Sequence, residues 1–340
     1  MNKANQPEII LRADTGRSVG LGHLVRTCAL ASMLAPSFRC LVACRNDSPE
    51  LDEMVEKSIA EAGATRILGD ISRKDPESFN ESFLRLLHPQ AITLLDNYFF
   101  DPAFQAEVRG RSKALVMTDD IPDRRFVADV LFTPSPLSAE DFSLAPYTRF
   151  YGGPEWAFLR PPFLAAPPSR KKGEIHSAVI GIGGTDPLNL TEKMARLISG
   201  LYPSINIDVI AGPACGADLS DCPNVRIHRG AGAGEIASLF DNADFGIFPA
   251  STTALEALSR RLPSAVGRFV DNQRLIHAIG TQRGWWGDLG DLRDAPDLLG
   301  ERIRRFVDGL PVSRFDFPDF SARKEQIINI FNGLWKEKDV

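Results

Sequence analysis

Short, continuously apolar runs, each closed by a glycine or a carboxylate and followed by a stretch with helical spacing, recur along the chain and leave few folds open to it. Residues 9–11, 38–45, 66–68, 91–95, 114–117 and 129–132 read as strands, with helical patterns at 49–62 and 76–87 among them. Runs that are apolar throughout, rather than alternating, belong to strands buried on both faces, and the helices between them supply the cover. The pattern restarts at 178–182 and continues through 207–210, 225–228, 245–248 and 264–269, with helices at 190–199, 234–242 and from 273 to about 283. Between the two series, Arg160-Pro161-Pro162, Pro167-Pro168 and Arg170-Lys171-Lys172 cannot continue a sheet interior. A chain of 340 residues also exceeds one ordinary core. The expectation is an α/β protein with an amino-terminal domain at 1–160, a linker at 161–175, and a carboxy-terminal domain at 176–340 whose last helix packs back on the first domain.

The turn after the first strand is the most informative stretch. Arg12-Ala13-Asp14 leads into a segment with Gly16, Gly20, Gly22 and His23, after which Leu24, Cys28, Ala31 and Leu34 recur at helical spacing. His23 therefore sits at a helix start beyond the carboxyl end of a strand, the edge where open α/β sheets bind ligands. The glycine spacing matches neither the dinucleotide fingerprint nor a P-loop. A plain tight turn and a structural histidine remain as readings of these residues taken alone. Asp14, Asp96 and the pair Asp119 and Asp120 also close strands. Each is explained singly as a helix N-cap, whereas together with His23 they form one polar edge suited to sugar hydroxyls.

Hydrophobic residues make up 44% and charged residues 24% of the sequence, a globular composition. A net charge of −5 without a long basic run disfavours a nucleic-acid partner. The polar start at residues 1–6 lacks the apolar core of a signal peptide, and no run is long enough to span a bilayer, so a cytoplasmic location is expected without membrane insertion. Cys28, Cys40, Cys44, Cys215 and Cys222 show no metal-ligand spacing, and neither metal nor cofactor is expected. No heptad or edge strand indicates an oligomeric state.

These residues resemble a known family. Arg12-Ala13-Asp14, Val19-Gly20-Leu21-Gly22-His23 and Arg26 are similar to the R-A-D…I-G-x-G-H-x-x-R signature of PseG-type UDP-sugar hydrolases. Asp96-Asn97-Tyr98 resembles the D-H-Y of that family, with Asn97 in place of the usual His. Asp119-Asp120 resembles its D-D, and the stretch from Tyr151-Gly152-Gly153 to Leu159-Arg160-Pro161 its linker region. Thr133 stands where Asn is frequent, and residues 317–328 lack the common D-G-x-G-A. The second half is similar to the nucleotide-binding domain of glycosyltransferases of the GT-B fold, through Gly183-Gly184-Thr185, Ser251-Thr252 with Glu256, and Asp271-Asn272-Gln273.

The resemblance implies two Rossmann-like, doubly wound domains facing across a cleft, and hydrolysis of a UDP-linked diacetamido-trideoxyhexose in pseudaminic acid biosynthesis. An inverting glycosyltransferase acting on a UDP-HexNAc donor is the alternative. It implies His23, neutral near pH 7, as the base that activates water, and Asp14 as the group orienting its ring. Arg12, Gly20, Gly22, Arg26, Asp96, Tyr98, Asp119 and Asn272 would contact the sugar. Gly183, Gly184, Thr185, Ser251, Thr252, Glu256 and Gln273 would hold UDP, with donors at the glycine loop and a helix N-terminus neutralising the diphosphate. For Glu256 taken alone, an exposed helix carboxylate is the competing account.

Overall fold

A computed structural model describes residues 6–16, 19–69, 75–170, 173–183, 186, 188–212, 215–310 and 314–337. The chain divides into two compact units, Met1–Pro161 with Phe320–Val340, and Pro162–Asp319.

Unit 1 contains β1 (Glu8–Arg12), α1 (Gly22–Leu34), β2 (Arg39–Ala43), α2 (Asp52–Glu61), β3 (Thr65–Leu68), α3 (Pro76–Leu86), β4 (Ala91–Leu95), α4 (Pro102–Arg111), β5 (Ala114–Thr118), β6 (Arg125–Phe126), β7 (Val130–Thr133), β8 (Ser143–Leu144) and β9 (Arg149–Gly152). Its main sheet, over the described residues, has the order β3-β2-β1-β4-β5-β7-β9 with parallel pairing throughout. Strands β4, β5 and β7 are buried at every position, as their unbroken apolar runs require. Helices α3 and α4 start by one device. Asp75 and Asp101 accept backbone N–H groups of the first turn, and Pro76 and Pro102 occupy the next position, where a missing N–H costs nothing.

Unit 2 contains β10 (Ser177–Ile180), α5 (Leu190–Leu201), β11 (Asn206–Ala211), β12 (Val225–Arg229), α6 (Ala233–Asn242), β13 (Phe245–Pro249), α7 (Thr252–Ser259), β14 (Ser264–Arg268), α8 (Arg274–Gln282), β15 (Gly287–Asp291) and α9 (Pro296–Gly309). Its sheet order is β12-β11-β10-β13-β14-β15, again parallel. In each unit the order reverses beside the first strand, between β1 and β4 and between β10 and β13. These are topological switch points, where loops from adjacent strands diverge and leave a crevice at the carboxyl edge.

The proline-rich segment at 161–175 is not a loose tether where it is described. Phe163 is buried against Phe240, with ring centroids 5.7 Å apart. Arg170 donates from Nη1 to the Ala243 carbonyl at 2.7 Å, and from Nη2 to the carbonyls of Phe240 at 2.7 Å and Arg260 at 3.2 Å. These carbonyls lie at the ends of α6 and α7, where helices leave acceptors without internal donors. The basic residue thus caps two helices of unit 2. The last helix, α10 (Arg323–Lys336), belongs to unit 1, and its Phe331 stacks on Phe132 of β7 at 6.4 Å.

At the edge of the second sheet, His228 on β12 lies 2.7 Å from Asp208 and 2.9 Å from Glu235. Burial lowers its pKa, but the two carboxylates outweigh this and raise it above the ordinary imidazole value. A raised folded-state pKa contributes stability that is complete below the unfolded value, about 6.5, and is lost as pH rises through the folded value. The unfolding midpoint of the parent protein is therefore expected to fall over this window more than that of His228→Gln. Parallel pH curves for the two proteins would contradict the assignment.

Candidate active site

The first switch point brings His23, Arg26 and Thr27 of α1 onto the end of β4. Spaced at i, i+3 and i+4, the three side chains share one helix face, and all three converge on Asp96. His23 Nδ1 lies 2.6 Å from Asp96 Oδ1, Arg26 Nε donates to Oδ2 at 2.8 Å, and Thr27 Oγ1 donates to Oδ2 at 2.9 Å. Asp96 is fully buried; burial pushes its pKa up, but Arg26 and His23 together hold it below the ordinary carboxylate range. An ionised carboxylate has only lone pairs to offer, so the 2.6 Å contact places a hydrogen on Nδ1. Arg26 Nη2, 3.0 Å from the same nitrogen, is there because it also grips Asp96. With Nδ1 committed, Nε2 carries the lone pair of the neutral ring. The ring of Tyr98 meets the imidazole edge-on at 4.6 Å.

Asp14 does not orient this histidine. Its carboxylate pairs with Arg12 Nη2 at 3.1 Å and Arg45 Nε at 3.4 Å, and accepts the Arg45 backbone N–H at 3.2 Å. Arg12 in turn is no sugar contact, because its guanidinium is taken up by Asp14 and by a cage of aromatic rings. Its guanidinium lies over the rings of Phe79, Phe83, Phe100 and Phe104, at 4.9, 5.0, 4.9 and 5.5 Å from their centroids. The pair is a core device: aromatic faces and one carboxylate hold a cation that burial alone would reject. Asn97 completes it by accepting the Asp14 N–H at 2.7 Å and donating to the Asp14 carbonyl at 3.3 Å. Asp96 is likewise an anchor for His23 and Arg26 rather than a sugar contact, because both its oxygens already accept hydrogen bonds from side chains of α1.

The glycine turn has a clear geometric reason at one position. Gly20 has φ +74°, a conformation side chains rarely adopt, and its N–H donates to the Gly16 carbonyl at 2.8 Å. Gly22 has no such need: it opens α1, and a Cβ there would meet open space. At the end of β5, Asp119 is buried, with Oδ1 accepting the Ile121 N–H at 2.9 Å. Arg124, which the motif reading missed, donates to the Tyr98 carbonyl and stands 3.9 Å from Asp119. No periodicity marks Arg124, because it lies on a loop.

In unit 2, Gly183 follows β10 with φ +147° and open space where a Cβ would stand. Gly184 and Thr185 lie outside the described residues. The next helix, α5, is already capped, because Asp186 accepts the N–H groups of Leu190 at 2.9 Å and Thr191 at 2.8 Å. A carboxylate there competes with any diphosphate for the same donors. Helix α7 differs: Ser251 occupies its N-cap without a side-chain capping bond, and Thr252 follows half-buried. The first N–H groups of a helix have no internal acceptor, so this terminus leaves donors open with hydroxyls beside them. Glu256, one turn on, is 1% exposed and so is not a solvated helix carboxylate. Gln273 Oε1 accepts the Phe269 N–H at 2.9 Å, while Asn272 is exposed.

Among the described residues, no group of three His, Cys, Asp or Glu side chains forms a metal-ligand cluster, and no helix is long and apolar enough to cross a membrane. Cys28 and Cys40 are buried, and burial pushes both thiols up to about 12.

No protein-family model matches the chain. An uncharacterized protein of Methanocaldococcus jannaschii is 25% identical over 277 residues, covering 76% of this chain and 55% of the relative, so the chain spans about half the length of the curated relative it matches. Among solved structures, UDP-GlcNAc 2-epimerase from Neisseria meningitidis bound to UDP-GlcNAc superposes with a TM-score of 0.62 at 11% identity, over 96% of this chain and 100% of the other. The S. aureus MnaA–UDP structure gives 0.62 at 11% identity, over 98% and 99%. MurG of Acinetobacter baumannii gives 0.59 at 13% identity, over 96% and 99%. The fold is GT-B, with two Rossmann-like α/β domains.

Proposed function

We propose that the protein is a UDP-sugar hydrolase of the PseG type. It breaks the anomeric C1–O bond of a UDP-linked diacetamido-trideoxyhexose with inversion, releasing UDP and the free sugar for pseudaminic or a related nonulosonic acid. The observation that carries this reading is the 2.6 Å contact between His23 Nδ1 and Asp96, which leaves Nε2 as the proton acceptor. Water attacks C1 from the face opposite UDP, its proton passes to Nε2, and the C1–O electron pair leaves with the β-phosphate oxygen. Asp96 stabilises the imidazolium that forms, as the third member of a triad does. The departing charge is held by N–H groups at the start of α7 and by that of Gly183, with the hydroxyls of Ser251 and Thr252, so electrostatic stabilisation takes the place of a general acid. Glu256 accepts hydrogen bonds from the ribose. Solved structures of the same fold that hold UDP or UDP-GlcNAc support the nucleotide half of this account.

Proton NMR of the protein with a panel of UDP-N-acetylhexosamines, including 2,4-diacetamido sugars, in ¹⁸O-labelled water tests the reaction. The expected result is free sugar appearing first as the inverted anomer, with phosphorus-31 NMR showing no label on UDP. Turnover only on addition of an acceptor would make it a transferase, and a C2 epimer still attached to UDP would make it an epimerase. Replacing Glu256 by Gln is expected to weaken UDP about tenfold, the scale of one hydrogen bond to a charged group. Calorimetric affinities within twofold of each other would remove Glu256 from the ribose site.

A further inference from the structure

Holding a diphosphate at the carboxyl edge of the second sheet calls for positive charge, because a helix N-terminus supplies only about half an elementary charge. The edge itself is rich in carboxylates: Asp186 before α5, Glu256 in α7 and Asp291 at the end of β15. Its cations are mostly spoken for. Lys193 donates to the carbonyls of Leu292 at 3.1 Å and Asp294 at 2.6 Å, and Arg274 Nε pairs with Asp271 at 2.9 Å. Arg293 holds Asp291 through Nε at 2.8 Å, Nη2 at 2.6 Å and its backbone N–H at 2.9 Å.

Arg268, the last residue of β14, differs. Its ion-pair partner is Asp291, 3.7 Å from Nη1 and beyond hydrogen-bond range, and among the described residues no acceptor meets its guanidinium more closely. Hydrogen bonds from Arg293 come first among the influences that hold Asp291 below the ordinary carboxylate range, and the charge of Arg268 comes after them. The side chain is 30% exposed, so solvent and solutes reach it. Two observations place it beside the start of α7. The N–H of Ala250, one residue before the N-cap Ser251, donates to the Gly267 carbonyl at 2.8 Å. Side chains alternate along β14: Phe269 packs in the core made with α5 and α9, and a Cβ on Gly267 would meet Leu292 of that core. Arg268 therefore projects from the other face, on which α7 and α8 pack.

We propose that Arg268 binds the diphosphate of the nucleotide, its free donors meeting phosphate oxygens beside the first turn of α7. The assignment rests on the nucleotide-sugar reading above and adds a full positive charge to donors that are otherwise neutral. A guanidinium offers phosphate two parallel N–H donors, and its hold strengthens as UDP leaves with a further negative charge.

Calorimetry of UDP and uridine binding to the parent protein, Arg268→Met and Arg268→Lys tests the contact. Losing a hydrogen bond between charged groups is expected to weaken UDP about thirtyfold in Arg268→Met, while uridine, measured by its competition with UDP, changes less than twofold. Arg268→Lys, which keeps the charge but not the fork of donors, should lie within about fivefold of the parent. A UDP affinity within twofold of the parent in Arg268→Met overturns the inference. Equal losses for UDP and uridine also overturn it, because they assign Arg268 to the nucleoside or to the fold. Failure of the parent protein to bind UDP is the separate failure of the nucleotide-sugar reading and takes the inference with it. Labelling of the parent protein with phenylglyoxal, which reacts with arginine side chains, gives a readout by mass spectrometry that needs no variant to fold. Saturating UDP should slow the labelling of Arg268 severalfold while Arg305, exposed on α9, labels equally with and without it. Labelling of Arg268 that UDP leaves unchanged overturns the inference.

Discussion

Replacing His23 by Asn is expected to lower kcat about a thousandfold while UDP affinity stays within about twofold, the loss that follows removal of a positioned base. The substitution is chosen for what it preserves. Asn carries an N–H donor that can reach Asp96, so the buried carboxylate and Arg26 keep their arrangement and the fold is spared an orphaned charge. Steady-state release of UDP, measured with calorimetric binding of UDP, reads the two effects apart. Near-normal turnover would remove the imidazole from the reaction. Equal losses of turnover and UDP affinity would mean that His23 serves the architecture of α1 instead.

Replacing Asp14 by Ala is expected to act on stability, by about 3–5 kcal/mol, because it leaves the enclosed Arg12 guanidinium without its anion. Against a typical total of about 5–15 kcal/mol this is severe. Burial already pulls the Arg12 pKa down, and Asp14 is the leading influence that raises it. Pairing the change with Arg12→Met should recover part of the loss, since a thioether also packs on aromatic rings. Urea unfolding of the single and double variants checks both statements. A loss below about 1 kcal/mol for Asp14→Ala would show that the four rings hold the cation unaided. The folded fraction of Asp14→Ala should retain turnover within about tenfold. A fall as deep as that of His23→Asn would return Asp14 to a catalytic role.

The two aspartates show how far the sequence could be read. Continuous apolar runs identify β4 and β5 because strands covered on both faces tolerate little else. The same runs carry no record of lateral order. Asp14 and Asp96 both close strands, and Asp14, nine positions before His23, looks like its natural partner. The histidine meets Asp96 instead because β1 and β4 are neighbours across a switch point and the first turn of α1 sets His23 against the end of β4. The i, i+3, i+4 spacing of His23, Arg26 and Thr27 was the available clue that these three share a target. Arg12 reads as a polar strand end until the four phenylalanines of α3 and the α4 region are placed around it in space. Helix α4 left a weak periodic signal, with only Gln105 and Val108 buried, although Asp101-Pro102 marks its start. In unit 2 the Ser251 terminus was legible from residue type, whereas the occupied N-terminus of α5 depends on Asp186 adopting φ +36°.

The membership of α10 in unit 1 has a consequence for synthesis. Residues 162–319 form the other unit, so the polypeptide leaves the first unit and returns to it after more than 150 intervening positions. Phe331, Ile327 and Leu334 are buried, and Phe331 lies on Phe132. During translation the first seven-stranded layer must therefore wait on the ribosome with hydrocarbon uncovered while the second unit is made. Chaperone demand should be concentrated in that interval, and a ribosome stalled before the terminal helix emerges should hold a nascent chain open to protease at β7.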